Sequence, residues 1–211
     1  MTSTHTKAHP HGDADPRTKL LSLLAKISFK LGSFQLSSGA TSDYYIDCRI
    51  TTLHAEGGRL CGLALFDLLH AHSLRPAAVG GLTMGADPVV SAIAIASAQR
   101  GHEDSTQPLV HGFLVRKEEK AHGMKRRIEG FFEPGAPVVI VDDVCTTGAS
   151  TIDAIEAARA AGFQVIGAAC LVERTEAAGR GAVEAALGGA PFFALFTAND
   201  VRKAHVAQLP L

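Results

Sequence analysis

Apolar and polar residues follow two alternating patterns along the chain. Apolar side chains recur at helical spacing in four segments, residues 16–30, 55–72, 86–99 and 149–162. Short, continuous apolar runs occupy residues 76–82, 108–116, 137–143, 164–173 and 191–197. Runs of this kind are typical of strands that are buried on both faces. Because they alternate with the helical segments, we expect an α/β fold with a central, mostly parallel sheet flanked by helices.

The N-terminal part of the chain does not follow this alternation. Residues 32–49, GSFQLSSGATSDYYIDCR, predict two short strands joined by a polar turn. The side chains expected to pack there are Phe34, Leu36, Tyr45 and Ile46. Together with the first helix, this hairpin forms a region of about 17–50 that we expect to be a small hood, or cap, on the core.

The first residues of the chain have a composition of their own. Residues 1–16 contain no apolar core of the kind found in secretory signals, and they predict a disordered tail. The histidines of this tail either bind a metal or are solvated, and solvation is the simpler interpretation. Residues 17–211 show no linker or internal repeat and predict a single domain.

Composition and charge exclude several classes of function. The 211 residues carry a formal net charge of −1. A general nucleic-acid binder is normally basic, and no apolar stretch reaches the roughly 18 residues of a membrane span, so we expect neither partner. The four cysteines are scattered and form no CxxC pair: Cys48, Cys61, Cys145 and Cys170. This spacing argues against a zinc site or a disulfide framework and favours a cytoplasmic location.

The segment PVVIVDDVCTTGAST, residues 137–151, carries the clearest chemical signal. Asp142 and Asp143 end an apolar strand, and ligands of parallel sheets bind beyond such ends. The following small and hydroxyl residues open a helix, so their N–H groups can hold a phosphate. The two carboxylates need hydroxyl groups or a cation instead, and a sugar phosphate supplies both. The alternative is that Asp142 caps the turn and Asp143 is solvated.

A basic segment precedes this strand. Residues 116–127, RKEEKAHGMKRR, include seven cationic or titratable side chains: Arg116, Lys117, Lys120, His122, Lys125, Arg126 and Arg127. Positive charge is what a departing pyrophosphate requires, and Gly123 would let the loop close over a reaction. A basic run taken alone is more often a solvated surface loop.

Two motifs resemble one family. The string after the strand is similar to the phosphoribosyl-pyrophosphate (PRPP) motif of type I phosphoribosyltransferases, D-D-hydrophobic-x-[ST]-[ST]-G. VRKEEKAHG resembles the R-K-x-x-K-x-H-G signature of orotate phosphoribosyltransferases. The resemblance implies the type I phosphoribosyltransferase fold and Mg²⁺-dependent transfer of ribose 5-phosphate from PRPP to orotate. It also implies a homodimer with active sites shared between subunits, and Mg²⁺ held mainly by PRPP, with its protein ligands left open.

The resemblance assigns roles to individual residues. The catalytic residues it implies are Lys120, His122, Asp142 and Asp143. The PRPP-binding residues are Arg116, Lys117, Lys120, His122, Asp142, Asp143, Val144, Cys145, Thr146, Thr147, Gly148, Ala149 and Ser150. The orotate-binding residues are Thr146, Arg174, Tyr44 and Tyr45. Cys145 is not assigned as a nucleophile, because the transfer needs no covalent enzyme intermediate.

The chain departs from some relatives at two positions. It has Ser37 where some carry a lysine, and Thr83–Met84 where others carry an aromatic–lysine pair. We therefore expect the segment GGLTMGADP to act through its backbone.

Two other functions are compatible with parts of the pattern. A phosphoribosyltransferase for a purine or another base would keep the acidic pair and its loop but would not need Arg174 or the order of the basic motif. A regulator that senses PRPP and binds nucleic acid would need a basic face or an added DNA-binding segment. The dense basic cluster here is instead the segment expected to contact pyrophosphate.

Overall fold

A computed structural model describes residues 15–35, 41–107, 109–118 and 127–210. The tail predicted for residues 1–16 lies outside this range except at its end. There the prediction is wrong by one residue, because the first helix begins at Pro16, directly after Asp15. Proline is favoured in a first helical turn, since its missing N–H group has no helical acceptor there.

Seven helices and eight strands follow one another within the described residues. The helices are α1 Pro16–Ile27, α2 Cys48–Thr52, α3 Ala55–Ala71, α4 Asp87–Glu103, α5 Ala149–Ala160, α6 Gly179–Leu187 and α7 Ala198–Ala207, with a 3₁₀ turn at Thr175–Ala177. The strands are β1 Phe29–Gln35, β2 Thr41–Ile46, β3 Ala78–Leu82, β4 His111–Val115, β5 Ile128–Gly130, β6 Pro137–Cys145, β7 Gln164–Glu173 and β8 Phe192–Thr197.

The six C-terminal strands form one sheet in the order β5-β4-β3-β6-β7-β8. All neighbours pair in parallel except β5, which runs antiparallel to β4. One face packs on α1, α3, α4 and α7, and the other on α5 and α6. The predicted α/β architecture is therefore confirmed, and each face of the sheet has its own apolar core.

The N-terminal hairpin pairs β1 with β2, joining Phe29 to Ile46 and Gln35 to Thr41. Its packing differs from the prediction. Tyr44 is buried and its ring stacks on Phe29 at 5.2 Å, whereas Tyr45 is 44% exposed. Successive strand residues point to opposite faces, so only one of the paired tyrosines can face the core. The expectation that Tyr45 packs inside is wrong.

The glycines of β3 leave no room for a Cβ atom beside the neighbouring strands. A Cβ atom on Gly81 would overlap the carbonyl oxygen of Val141 and come within 2.5 Å of the Ala86 Cβ. The backbone of Val141 on one side and the buried methyl group of Ala86 on the other leave no space into which a Cβ atom at position 81 could move. Gly81 therefore sets how close the ends of β3 and β6 can be, whereas Gly80 makes room for the Phe113 ring of β4.

We predict that Gly81→Ala destabilises the fold by roughly 1–3 kcal/mol, the usual cost of overpacking a core. The matched control is Gly181→Ala in α6, where an added Cβ meets no atom within 4 Å. Alanine there should stabilise by about 0.5–1 kcal/mol through helix propensity. Urea unfolding measures both changes, and equal midpoints for the two variants would contradict the close approach of β3 and β6.

Candidate active site

A cavity of about 650 Å³ opens at the carboxyl ends of three neighbouring strands. It lies where the strand order reverses, since β3 has β4 on one side and β6 on the other. Ligands of open α/β sheets bind at such a switch point. The lining residues are Arg49, Leu82, Thr83, Met84, Gly85, Arg116, Lys117, Glu118, Asp142, Asp143, Val144 and Ser150.

The acidic pair lies at this cavity, and its two members are held differently. Asp142 is only 5% exposed and accepts hydrogen bonds from the Thr151 hydroxyl at 3.1 Å and the Asp143 N–H at 3.0 Å. Asp143 accepts one from the Val144 N–H at 2.8 Å and lines a second, adjoining cavity as well. Asp142 thus anchors the turn while it borders the cavity, and Asp143 is the more available carboxylate.

Burial changes the acidity of both groups. Burial, and then the charge of Asp143, raise the pKa of Asp142 to about 7. Burial also raises the pKa of Asp143, against the lowering effect of the Val144 N–H and the Arg49 guanidinium. A like-charged pair at this depth is costly unless hydroxyl groups or a cation compensate it. The geometry therefore favours a ligand that brings one of these.

The loop after the pair has the opposite character. Gly148 adopts the left-handed conformation, with φ at +80°, and a Cβ there would lie 2.5 Å from Val183. No side chain caps the start of α5. The first N–H groups of a helix have no helical acceptors, so this end presents donors to an anion. Ser150 borders the cavity, which places this donor-rich turn beside the carboxylates.

The remaining loop residues are placed less directly. Cys145, Thr146, Thr147, Gly148 and Ala149 do not line either cavity among the described residues. The Cys145 side chain is buried in the core, which agrees with leaving it out as a nucleophile. Any contact of these residues with PRPP would run through backbone or hydroxyl groups at the loop, and their roles stay predictions.

The basic segment divides into two parts. Arg116 and Lys117 line the cavity, whereas Lys120, His122, Lys125 and Arg126 lie outside the described residues. Arg127 does not act as a free cation, because its two terminal nitrogens each donate to Asp153 at 2.7 Å. Its Nε also donates to the Arg116 carbonyl at 2.8 Å. The interpretation of Arg127 as part of the charge around a leaving group is therefore corrected: it fastens the base of the segment to α5.

The turn after β3 faces the acidic pair with its main chain. A Cβ on Gly85 would lie 2.6 Å from the Asp143 carboxylate, so glycine leaves room for this carboxylate in its present position. Thr83 and Met84 line the cavity, and the peptide bond between them is cis. The Met84 side chain is largely exposed.

The adjoining cavity of about 230 Å³ borders the hood. Tyr45, Arg49, Gly85 and Asp143 are among its lining residues, so the exposed tyrosine faces it and the buried Tyr44 does not. The full lining is Tyr45, Ile46, Asp47, Cys48, Arg49, Gly85, Asp143 and Val144.

Arg174 lies just outside both cavities among the described residues. Its side chain is 11% exposed, and its backbone N–H donates to the Cys145 carbonyl at 2.9 Å, which places it beside Thr146. Burial, and then the hydrogen bond to Glu176, raise the pKa of Tyr44 to about 12, so its hydroxyl keeps its proton at neutral pH. The structure thus gathers Arg174, Thr146 and Tyr44 in one region, with Tyr45 on the other face of β2.

Arg49 is a residue of the site that the sequence reasoning missed. It comes from the short helix α2 and borders both cavities. Its guanidinium forms two hydrogen bonds of 3.0 Å with Asp47 and lowers the pKa of Asp143 through its charge. An arginine four residues after the paired tyrosines in YYIDCR was the available signal, but no periodic pattern shows which way a five-residue helix points.

Comparison with known proteins identifies the family. The phosphoribosyl transferase domain matches residues 115–184. The orotate phosphoribosyltransferase of Aquifex aeolicus is 42% identical over 188 residues, covering 88% of this chain and 97% of its own. The chain belongs to the orotate phosphoribosyltransferase family.

Solved structures of this family share the fold. The orotate phosphoribosyltransferase of Mycobacterium tuberculosis H37Rv, in complex with Fe(III) dicitrate, is 36% identical with a TM-score of 0.74 and covers 88% of this chain and 98% of its own. The same enzyme in complex with PRPP is 32% identical with a TM-score of 0.71, over 89% and 99%. The predicted type I phosphoribosyltransferase fold is confirmed. Within the described part of the chain, no helix is long and apolar enough to cross a membrane.

We predict that Asp143→Asn stabilises the ligand-free protein at pH 8. Both carboxyls of the pair have raised pKa values in the folded state, so the folded protein keeps protons that the unfolded chain releases. The pair therefore costs stability as pH rises through the folded pKa values. The melting temperature should rise by a few degrees at pH 8, by roughly 2–4 °C per kcal/mol gained, and by less at pH 5.

The control is Asp200→Asn, for which we expect the opposite change in stability. Hydrogen bonds from Thr197 in the capping box lower the pKa of Asp200, so it stabilises the fold above its unfolded pKa. Its replacement should lower the melting temperature at pH 8. If Asp143→Asn melts with the parent protein at pH 8, the acidic pair carries no such cost.

Proposed function

We propose that the protein transfers ribose 5-phosphate from PRPP to N1 of orotate, giving orotidine 5′-monophosphate and pyrophosphate, a step of pyrimidine synthesis. One observation carries the proposal. A single cavity at the switch point of the sheet brings a carboxylate pair, the uncapped end of α5 and three cationic side chains, Arg49, Arg116 and Lys117, together. These are the partners that the hydroxyls, the 5′-phosphate and the pyrophosphate of PRPP need.

Each group of residues contacts a different part of PRPP. Asp142 and Asp143 accept the ribose hydroxyls, and the loop from Val144 to Ser150 donates to the 5′-phosphate. Arg116 and Lys117 face the pyrophosphate from the end of β4, with Lys120 and His122 following in the sequence. As the bond to pyrophosphate breaks, the anomeric carbon becomes oxocarbenium-like and negative charge builds up on the leaving group. Fixed positive charges that meet it lower the barrier without a covalent intermediate.

Magnesium fits this site by its donor chemistry. Mg²⁺ prefers oxygen ligands, usually substrate phosphates with one or two carboxylates. We propose that PRPP supplies most of the oxygens, and Asp142 and Asp143 are the protein carboxylates bordering the cavity. The ion would neutralise charge on the diphosphate.

The base side of the site lies toward the hood. We propose that the orotate ring sits near Tyr45 and Thr146, and that Arg174 reads the carboxylate that distinguishes orotate from uracil. A guanidinium fork matches a carboxylate with two parallel hydrogen bonds, which gives geometry as well as charge. The buried Tyr44 ring supports Arg174 from one side, with the guanidinium carbon 4.6 Å from the ring centroid.

We also propose a homodimer, formed on a groove of about 660 Å³ beside α2. The groove is bordered by exposed apolar side chains, among them Leu53 and Ile95. Its buried Thr52 hydroxyl and one Asp87 carboxylate oxygen have no hydrogen-bond partner among the described residues. Arg49, three residues before Thr52, borders the catalytic cavity, so a subunit that binds here lies one short helix from that cavity.

All four cysteines are buried free thiols, which supports a reducing, cytoplasmic setting.

The activity itself is tested by following orotate consumption with PRPP and Mg²⁺, beside parallel reactions with adenine and uracil. We expect turnover with orotate and none with adenine or uracil. Lys120→Ala should lower kcat by roughly 100-fold, as for loss of one group that stabilises transition-state charge. The exposed Lys26 in α1 gives the matched control Lys26→Ala. Turnover of adenine instead of orotate would reject the proposal, and a Lys120→Ala variant within twofold of the parent would reject the role of Lys120.

For the dimer, we predict that Leu53→Asp lowers the sedimentation coefficient from that of a dimer to that of a monomer. A charge placed in an apolar interface has to be desolvated without a partner. Val206→Asp, at a similarly exposed apolar position on α7, is the control and should leave the dimer intact. A monomeric parent protein, or a dimeric Leu53→Asp variant, would contradict the proposed interface.

A further inference from the structure

The hydrogen bonds of Arg174 all lie on one edge of its guanidinium group. Nε donates to the Tyr44 hydroxyl and to the Glu176 carboxylate, each at 2.9 Å, and Nη2 donates to the Ser42 hydroxyl at 3.2 Å. Nη1 makes no hydrogen bond to any residue that the structure describes. The side edge of the guanidinium group is therefore occupied, and the end edge, formed by Nη1 and the second proton of Nη2, has no hydrogen-bond partner among the described residues.

Tyr44 closes this arrangement into a triangle. Its hydroxyl accepts from Arg174 and donates to the same oxygen of Glu176 that Arg174 contacts. The Tyr44 ring is buried and stacked on Phe29, so the hydroxyl cannot shift far. Glu176 is thus fixed by two donors, and it fixes the plane of the guanidinium in return.

We infer that Glu176, together with the Tyr44 hydroxyl, is a positioning element that holds Arg174 by its side edge and leaves its end edge for the substrate carboxylate. The inference rests on the proposed function, because it takes orotate as the anion that Arg174 reads. It adds a specificity-determining role for two groups that do not touch the reacting atoms.

The opposite possibility is that Glu176 competes with the substrate for Arg174. Burial decides between the two. The Glu176 side chain is 51% exposed, so water and salt screen its repulsion of a second carboxylate. The Arg174 side chain is 11% exposed, so an unpaired cation there would be poorly solvated before the substrate arrives. Glu176 therefore raises the affinity for orotate, because its orientation of the Arg174 guanidinium group outweighs its screened repulsion of the substrate carboxylate.

Glu176→Gln tests this, because glutamine keeps the size and an acceptor oxygen but loses the charge. We expect the KM for orotate to rise about tenfold, as for one charge-assisted hydrogen bond, while the KM for PRPP changes by less than about twofold. Tyr44→Phe keeps the ring and removes only the hydroxyl, and it should raise the KM for orotate in the same direction. The matched control is Glu184→Gln, since Glu184 is 50% exposed and paired with an arginine, Arg180, at 3.2 Å.

The outcomes separate the two levels of the argument. A parent protein that does not use orotate rejects the proposed function, and this inference with it. If the parent uses orotate and Glu176→Gln has an unchanged or lower KM for orotate, the positioning role is rejected and the proposed function is not. A lower KM would show that Glu176 competes with orotate for Arg174. If both KM values rise together in Glu176→Gln and in Tyr44→Phe, the triangle is a general structural support and the inference is also overturned.

Discussion

The close approach of β3 to β6 is the constraint on which the site depends. Gly81 lets β3 lie against the main chain at Val141, and Gly85 lets the next turn lie against the Asp143 carboxylate. Burial is the largest cause of the raised pKa values of the acidic pair beside these contacts. The fold therefore holds two carboxylates where their charge is costly, and that cost is recovered when a ligand brings hydroxyl groups or a cation.

The hood contributes through the two faces of one strand. In β2 the alternation of side chains sends Tyr44 into the core and Tyr45 to the cavity beside Asp143. The buried tyrosine then supports Arg174, and the exposed one borders the space that we assign to the base. A shift of one residue in the pairing of β1 and β2 would exchange these positions, so the proposed recognition of the base depends on the register of a two-stranded hairpin.

Much of this was readable from the sequence, and the exceptions have physical causes. The bounds of β7 agree with the prediction, and the motif around Asp142 and Asp143 correctly indicated the family. β5 spans three residues and α2 five, too short for a periodic signal to develop. The choice between Tyr44 and Tyr45 depended on hairpin register, which two adjacent aromatic residues do not reveal. The function of Arg127 depended on a partner, Asp153, that is distant in sequence.

Helix α5 links the two charged parts of the site. Its first turn presents donors to the proposed phosphate, and Asp153, in its second turn, forms the two hydrogen bonds with Arg127. Arg116 and Arg127 also pair through their backbones, the Arg116 N–H donating to the Arg127 carbonyl at 2.8 Å. The base of the basic segment is therefore closed and fixed to the helix whose first turn we propose as the phosphate site. Whatever conformation the segment adopts between these residues, both of its ends start from positions that α5 sets relative to the cavity.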